Sequence, residues 1–332
     1  MVKDAGMPNA DSDEREQRPL AGILFLLLGT TVFPLQDVII KTLSTDYAVH
    51  QIVFLRGLFA APVVLFIVWV TGDMRDMRIG SFWLQMIKAA GGFTSYFVYY
   101  MALAAIGMAE TSAITFSTPL FVTVMAIFFL SEKIGLQRWL AVIMGLVGVV
   151  VVIQPGASVF EPAAVLALLA AVFYASSIIA TRKLGNRSNG GTTTLFTLVF
   201  FIIAGGIVGL IFQGQETTST HPSLQFLYRA WFWPEGSEWL YFIALGVISG
   251  VGFYALTQAY RIADASVVTP FEYTYILWTV LWGYVFFGAL PAMTTWIGLI
   301  LIVGSGLFIV YREADKGRSV VLKKGLGILR QR

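Results

Sequence analysis

The chain has 332 residues, of which 57% are hydrophobic and only 12% charged, with a formal charge of +3. A soluble domain carries about 25% charged residues, so a chain of mean hydropathy +0.78 has too little charge to coat a water-facing globule, and lipid is its natural solvent. The chain has no cysteine and two histidines, His50 and His221, both read as loop residues; this excludes disulfides, thiolate metal sites and cysteine nucleophiles and leaves no metal-binding cluster.

Residues 1–19 are polar and rich in acids (Asp11, Asp13, Glu14, Glu16) and read as a disordered cytoplasmic tail. They are not a cleavable signal, because the apolar run that follows is too long for a signal core and has no small-residue cleavage site. A bilayer core of about 30 Å needs roughly 20 apolar residues in a helix. On that basis ten spans are expected, near 20–41, 50–71, 82–105, 109–130, 138–154, 162–181, 192–213, 239–260, 264–287 and 293–311. The long connection 214–238 is polar and then aromatic (Phe226, Tyr228, Trp231, Phe232, Trp233) and predicts a short segment in the headgroup layer. The tail 312–332 alternates Lys and Arg with Val, Leu and Ile and is expected on the inner leaflet. The basic residues Arg75, Arg78, Lys133, Arg138, Arg182, Lys183, Arg187 and Arg261 fall on one side of this arrangement and Arg229 on the other, which places both termini in the cytoplasm of a multi-pass bacterial inner-membrane protein.

Two stretches look like copies: Ala109-Glu110-Thr111-Ser112-Ala113-Ile114-Thr115 and Ala263-Asp264-Ala265-Ser266-Val267-Val268-Thr269. Each opens an apolar helix, followed by a Gly-containing turn, then Trp139 or Trp296, then a Gly-spaced last helix; Val32-Phe33 likewise matches Val172-Phe173. Five spans per half, an odd number, turn the second half upside down relative to the first. The fold class is therefore all-α and membrane-integral, ten helices in two inverted five-helix repeats, residues 20–154 and 162–311.

Ser131-Glu132-Lys133, the Gly145/Gly148 helix ending in Gln154-Pro155-Gly156, and Pro270-Phe271-Glu272-Tyr273 resemble the EamA family of the drug/metabolite transporter superfamily. Asp37-Val38-Ile39-Ile40-Lys41 with Gln51-Ile52-Val53-Phe54-Leu55-Arg56 resembles a bacterial branch that includes riboflavin and S-adenosylmethionine uptake proteins beside many exporters. The second half departs from the family pattern at Ala289, where an acid like Glu132 is frequent. The resemblance implies a transporter of small organic solutes.

Ionisable groups inside a membrane cost at least about 2.5–3.5 kcal/mol on insertion scales, so each suggests a function or a partner. Asp37 and Lys41 are four residues apart on one helical face and can pair, and with Arg56 they form either an outer gate or anchor, or a structural cluster pinning two helices. Arg56 suits a carboxylate or phosphate. Glu272 is expected about eight residues into the ninth helix, beside a turn loosened by Pro270, where it can bind a cation or take up a proton, or be held by Arg or Tyr partners. Lys88 reads as a snorkelling residue. Tyr96, Tyr99, Ser112, Thr115, Tyr254, Gln258 and Tyr273 are candidate walls of one cavity for a partly planar solute, with self-bonded Ser and Thr as the bland alternative. Pro119 and Pro270 mark bends. Gly145, Gly148, Gly298, Gly304 and Gly306 suit close helix packing or a homodimer surface.

The chain thus reads as a non-enzymatic, cofactor-free, alternating-access carrier, possible proton coupling included, with a small organic solute and the lipid bilayer as partners and no nucleic acid. Riboflavin, S-adenosylmethionine and amino acids are the solute candidates; a flippase for a lipid-linked group and a non-transporting scaffold are the alternatives. Because the chain contains no cysteine, single cysteines report topology without background. A cysteine in place of Thr220 should react with an impermeant maleimide on intact spheroplasts, and one in place of Lys183 only after permeabilisation.

Overall fold

The computed structural model describes residues 19–71, 79–131, 135–155, 161–184, 188, 190–212, 215, 219–263 and 268–329, without the side chains of residues 19, 257, 260, 261, 269 and 313–329. The expected tail 1–18, the turn residues Glu132, Lys133 and Gly156, and Asp264 to Val267 of the second copied stretch lie outside the described residues.

All regular structure among the described residues is helical. The first half contains α1 (Pro19–Leu43), α2 (Val49–Thr71), α3 (Phe82–Ala105), α4 (Met108–Thr115), α5 (Thr118–Leu130) and α6 (Leu136–Ile153). The second contains α7 (Ala163–Leu184), α8 (Gly190–Phe212), the short α9 (Pro222–Tyr228), α10 (Glu238–Ile262), a 3-10 turn (Thr269–Tyr273), α11 (Thr274–Phe287) and α12 (Met293–Leu329). Eight helices, counting α4 and α5 as one, are long and apolar enough to cross a membrane. The remaining two spans are α3, diluted by Lys88 and its tyrosines, and the 3-10 turn with α11.

Helix pairing carries the repeat. The first helix of each half packs against the third of the other, α1 on α10 and α7 on α3. The same helices also pack against the fourth of the other half, α1 on α11 and α7 on α5, while α2 meets α8 and α6 meets α12. Exchanging the halves returns the same set of contacts, as a two-fold relation between repeats requires. In the last pair two glycines face each other: a Cβ on Gly298 would sit 2.6 Å from the Gly148 carbonyl oxygen, and one on Gly148 2.8 Å from that of Gly298. Gly304, expected in such a contact, faces open space instead.

The fourth and ninth spans, expected as continuous helices, are interrupted. Pro119 has no N–H to give to the Thr115 carbonyl; the Thr118 hydroxyl donates to that oxygen instead, at 2.7 Å, and α4 ends at Thr115. This substitution matters where no water can serve the freed carbonyl. In the ninth span Pro270 lies in the 3-10 turn, whose hydrogen bonds need one residue fewer per turn. Glu272 therefore sits in this turn and not eight residues into an α-helix. The backbone of α12 remains helical past 311 to Leu329, where an interfacial tail was expected; no proline stops it.

The connection before α10 is also more than a surface strip. Phe226 on α9 is fully buried, the Ser223 hydroxyl donates to the Met101 carbonyl at 2.7 Å, and Arg229 donates to the Ser44 carbonyl at 2.6 Å. Trp231 donates to His50 Nδ1, whose Nε2 lies 3.0 Å from the Leu227 carbonyl. His50, expected in a loop, is the second residue of α2 and is buried. Tyr47, stacked on Phe232 with ring centres 4.5 Å apart, donates to Glu238 at 2.5 Å; burial and that carboxylate hold its phenol above the usual range. Residues 221–238 thus strap the ends of α1, α2 and α3. Of its aromatic rings, Trp233 remains largely exposed.

Overpacking at a close crossing typically costs about 1–3 kcal/mol. Gly298→Val should lower the melting temperature of the detergent-solubilised protein, whereas Gly304→Ala should leave it nearly unchanged.

Candidate functional site

Polar side chains from six helices meet where α3 faces α1 and α2. Arg56 is eight residues into α2, roughly 10 Å along its axis at 1.5 Å per residue, and its side chain is fully buried. Its guanidinium lies 5.2 Å from the ring centre of Tyr96 and 5.4, 5.7 and 5.9 Å from those of Tyr100, Phe201 and Phe253. Such cation–π contacts gain strength when desolvated. Nη1 donates to the Tyr100 hydroxyl, while Nε and Nη2 have no hydrogen-bond partner among the described residues. Gln36 Nε2 donates to the same hydroxyl at 2.9 Å, and Ser249 on α10 donates to Gln36 Oε1 at 2.5 Å. The two halves are therefore tied together through amide and hydroxyl groups at the guanidinium.

Asp37 follows Gln36 on α1 and is buried. Its Oδ2 accepts from Tyr99 of α3 at 2.7 Å and from Tyr275 of α11; the two phenols are themselves 3.4 Å apart. Ser112 Oγ lies 3.5 Å from the Tyr99 hydroxyl. A buried carboxylate needs such donors, and here they come from both halves.

Lys41 does not complete an ion pair with Asp37. One helical turn further on, its Nζ donates to the carbonyls of Leu103 and Ile106 at 2.6 and 2.7 Å. Those are carbonyls at the end of α3, left without helical donors, where a cation also meets the negative end of the helix dipole. Lys41 thus anchors α3.

Among the expected wall residues, Ser112 and Thr115 spend their hydroxyl protons on their own helix, at Met108 and Thr111, both at 2.8 Å. Gln258 donates to Tyr254 at 2.7 Å one turn away on α10. Tyr96 stands edge-on to Tyr174 and Phe253, with centres 6.4 and 5.7 Å apart. Glu272 is half-buried. Tyr273 stacks at a tilt on Phe116, 5.3 Å between centres, and its hydroxyl lies where a Cβ on Gly306 would be. Lys88 bonds Thr197 on α8 at 3.1 Å; it is tied within the bundle instead of snorkelling to the surface. Gln36, Tyr174, Phe201, Ser249 and Phe253 belong to this region, but nothing in the sequence sets them apart from the other polar and aromatic residues of their helices.

The model of the EamA-like transporter family matches residues 20–154 and again 161–311. The chain belongs to this family. Relatives of this EamA-family chain include a riboflavin transporter of Vibrio cholerae, 26% identical over 91% of this chain and 97% of that one. An S-adenosylmethionine uptake transporter of Rickettsia felis is 27% identical over 89% of this chain and 94% of its own length. A pseudopaline exporter of Pseudomonas aeruginosa is 25% identical over 85% and 93%. A solved crystal structure, 21% identical, superimposes with a TM-score of 0.60 over 89% of this chain and 98% of its own, and shares the fold.

Loss of a charge-assisted hydrogen bond typically costs about 1.5–3 kcal/mol. Lys41→Met should lower the unfolding temperature of the EamA chain in detergent by a corresponding amount, and Lys41→Arg should retain most of the stability.

Proposed function

We propose that this chain carries a small organic solute across the bacterial inner membrane by alternating access, with the solute held where Arg56, Asp37 and the surrounding rings meet. The observation that supports this reading best is a fully buried guanidinium with unpartnered donors, caged by aromatic rings at the junction of two five-helix halves. A structural role alone would favour every donor having a partner, since each unsatisfied buried group costs about 1–3 kcal/mol. The ring faces suit a solute with a planar part, in keeping with relatives named for riboflavin and S-adenosylmethionine.

The interruptions at Pro119 and Pro270 let the fourth and ninth spans bend as access switches from one side to the other. Glu272, in the second interruption, takes up a coupling proton. Tyr254 and Gln258 orient the solute, and Tyr96, Tyr99 and Tyr273 supply its walls, with Ser112 and Thr115 lining the side next to Tyr99.

Flux in proteoliposomes tests this reading. Riboflavin, S-adenosylmethionine and a pool of amino acids would be offered with and without an inward proton gradient. Flux of one solute should rise with the gradient and fall at least tenfold in Glu272→Gln. Gradient-independent flux that survives this substitution would make the protein a facilitator, and no flux of any solute would favour the flipping of a lipid-linked group.

A further inference from the structure

Two opposite charges are buried in one region and do not pair. Asp37 and Arg56 are each bound to a tyrosine instead, Asp37 to Tyr99 and Arg56 to Tyr100. These tyrosines are adjacent on α3, with ring centres 5.7 Å apart. Gln36, the neighbour of Asp37, and Arg56 donate to the same phenol oxygen. Opposite charges in a low dielectric attract strongly, yet each is answered here by a phenol.

What each charge leaves over is specific. Nε and Nη2 lie along one edge of the planar guanidinium and present parallel N–H groups, the arrangement that receives the two oxygens of a carboxylate. Neither has a partner among the described residues. The surrounding rings balance the charge but offer no lone pair to these hydrogens. On Asp37 both phenols bond Oδ2, which leaves Oδ1 to accept from a cation. One donor pair and one anionic acceptor, held at two adjacent tyrosines, are complementary to a zwitterion.

We propose that the solute bears an α-amino-acid head group that bridges the two charges, its carboxylate on the Nε/Nη2 edge of Arg56 and its ammonium on Asp37. Its planar remainder lies against Tyr96, Phe201 and Phe253. This rests on the transport reading above and narrows it to zwitterionic solutes. An amino-acid head completes the hydrogen bonding of both side chains at once, so closing around it is favoured over closing without it.

The test is equilibrium binding to the full chain in detergent, read as ligand-induced thermal stabilisation and by scintillation proximity. The probes are S-adenosylmethionine, its decarboxylated form, 5′-methylthioadenosine and riboflavin. Wild type should bind S-adenosylmethionine at least 50-fold more tightly than the decarboxylated form. In Arg56→Gln this preference should shrink below threefold. In Asp37→Asn binding of S-adenosylmethionine should weaken at least tenfold. Arg56→Lys, which keeps the charge and removes the paired edge, should fall between, and it serves as the informative variant if Arg56→Gln does not fold. Equal binding of the carboxylated and decarboxylated forms would overturn the proposal. So would riboflavin or 5′-methylthioadenosine binding more tightly than S-adenosylmethionine; measured riboflavin flux in that case would leave the transport reading standing. Binding of none of the probes, with no flux of any solute in proteoliposomes, would overturn both.

Discussion

A guanidinium inside a membrane-spanning bundle has to be answered by the protein, because lipid offers neither hydrogen-bond acceptors nor dielectric screening. Around Arg56 that requirement organises the centre of the molecule. It recruits the ring faces of α3, α8 and α10. It also places a phenol on Nη1, and the amide of Gln36 then fixes that phenol from α1. The Ser249 hydroxyl draws in the second half through the same amide. This polar chain joins the bonds of Lys41 and Asp37 in setting the register of these helices.

Two kinds of contact divide the labour in the bundle. At the crossing of α6 and α12, bare backbone meets bare backbone through Gly148 and Gly298, and close van der Waals packing holds the helices without polar groups. At the centre, the fourth and ninth spans lose helical hydrogen bonds at proline, and the chain repairs the loss locally, as Thr118 does for the Thr115 carbonyl. The first arrangement resists motion, and the second leaves two segments whose backbone is already out of the regular ladder. Both fall in the fourth span of their half, Pro119 four residues and Pro270 one residue after the copied stretch.

The ten spans and the repeat were legible in the sequence because each depends on composition or on period: apolar runs of fixed length and an odd helix count per half. Asp37, Lys41 and Arg56 stood out as isolated ionisable residues and were read as an outer gate or a structural cluster. The partners of those charges were not. The spacing of Asp37 and Lys41 puts them on one face of α1, but one turn of rise carries Lys41 beyond Asp37 to the place where α3 happens to end. Nothing local to α1 encodes that end. Gln36, Tyr174 and Ser249 were missed for a related reason: an uncharged polar residue in a membrane helix has no periodic signature, and its significance comes only from what the fold sets opposite it. The interruption at Pro270 was foreseen as a loosened turn, but its conversion to a 3-10 segment depends on tertiary contacts such as that of Tyr273 with Phe116.

The strap 221–238 belongs to the second half alone. Two identical halves related by a two-fold axis would give the two ends of the bundle equal tendencies to open. Here one end carries extra fastenings: Ser223 to Met101, Arg229 to Ser44, Trp231 to His50 and Tyr47 to Glu238. Every movement that spreads α1, α2 and α3 at that end has to break or carry these bonds, whereas at the other end Gln85 of α3 bonds Ser188 and Thr193. The molecule is thus symmetric in its helix pairing and asymmetric in its fastenings, one end being held by a segment that lies outside both repeats' membrane helices.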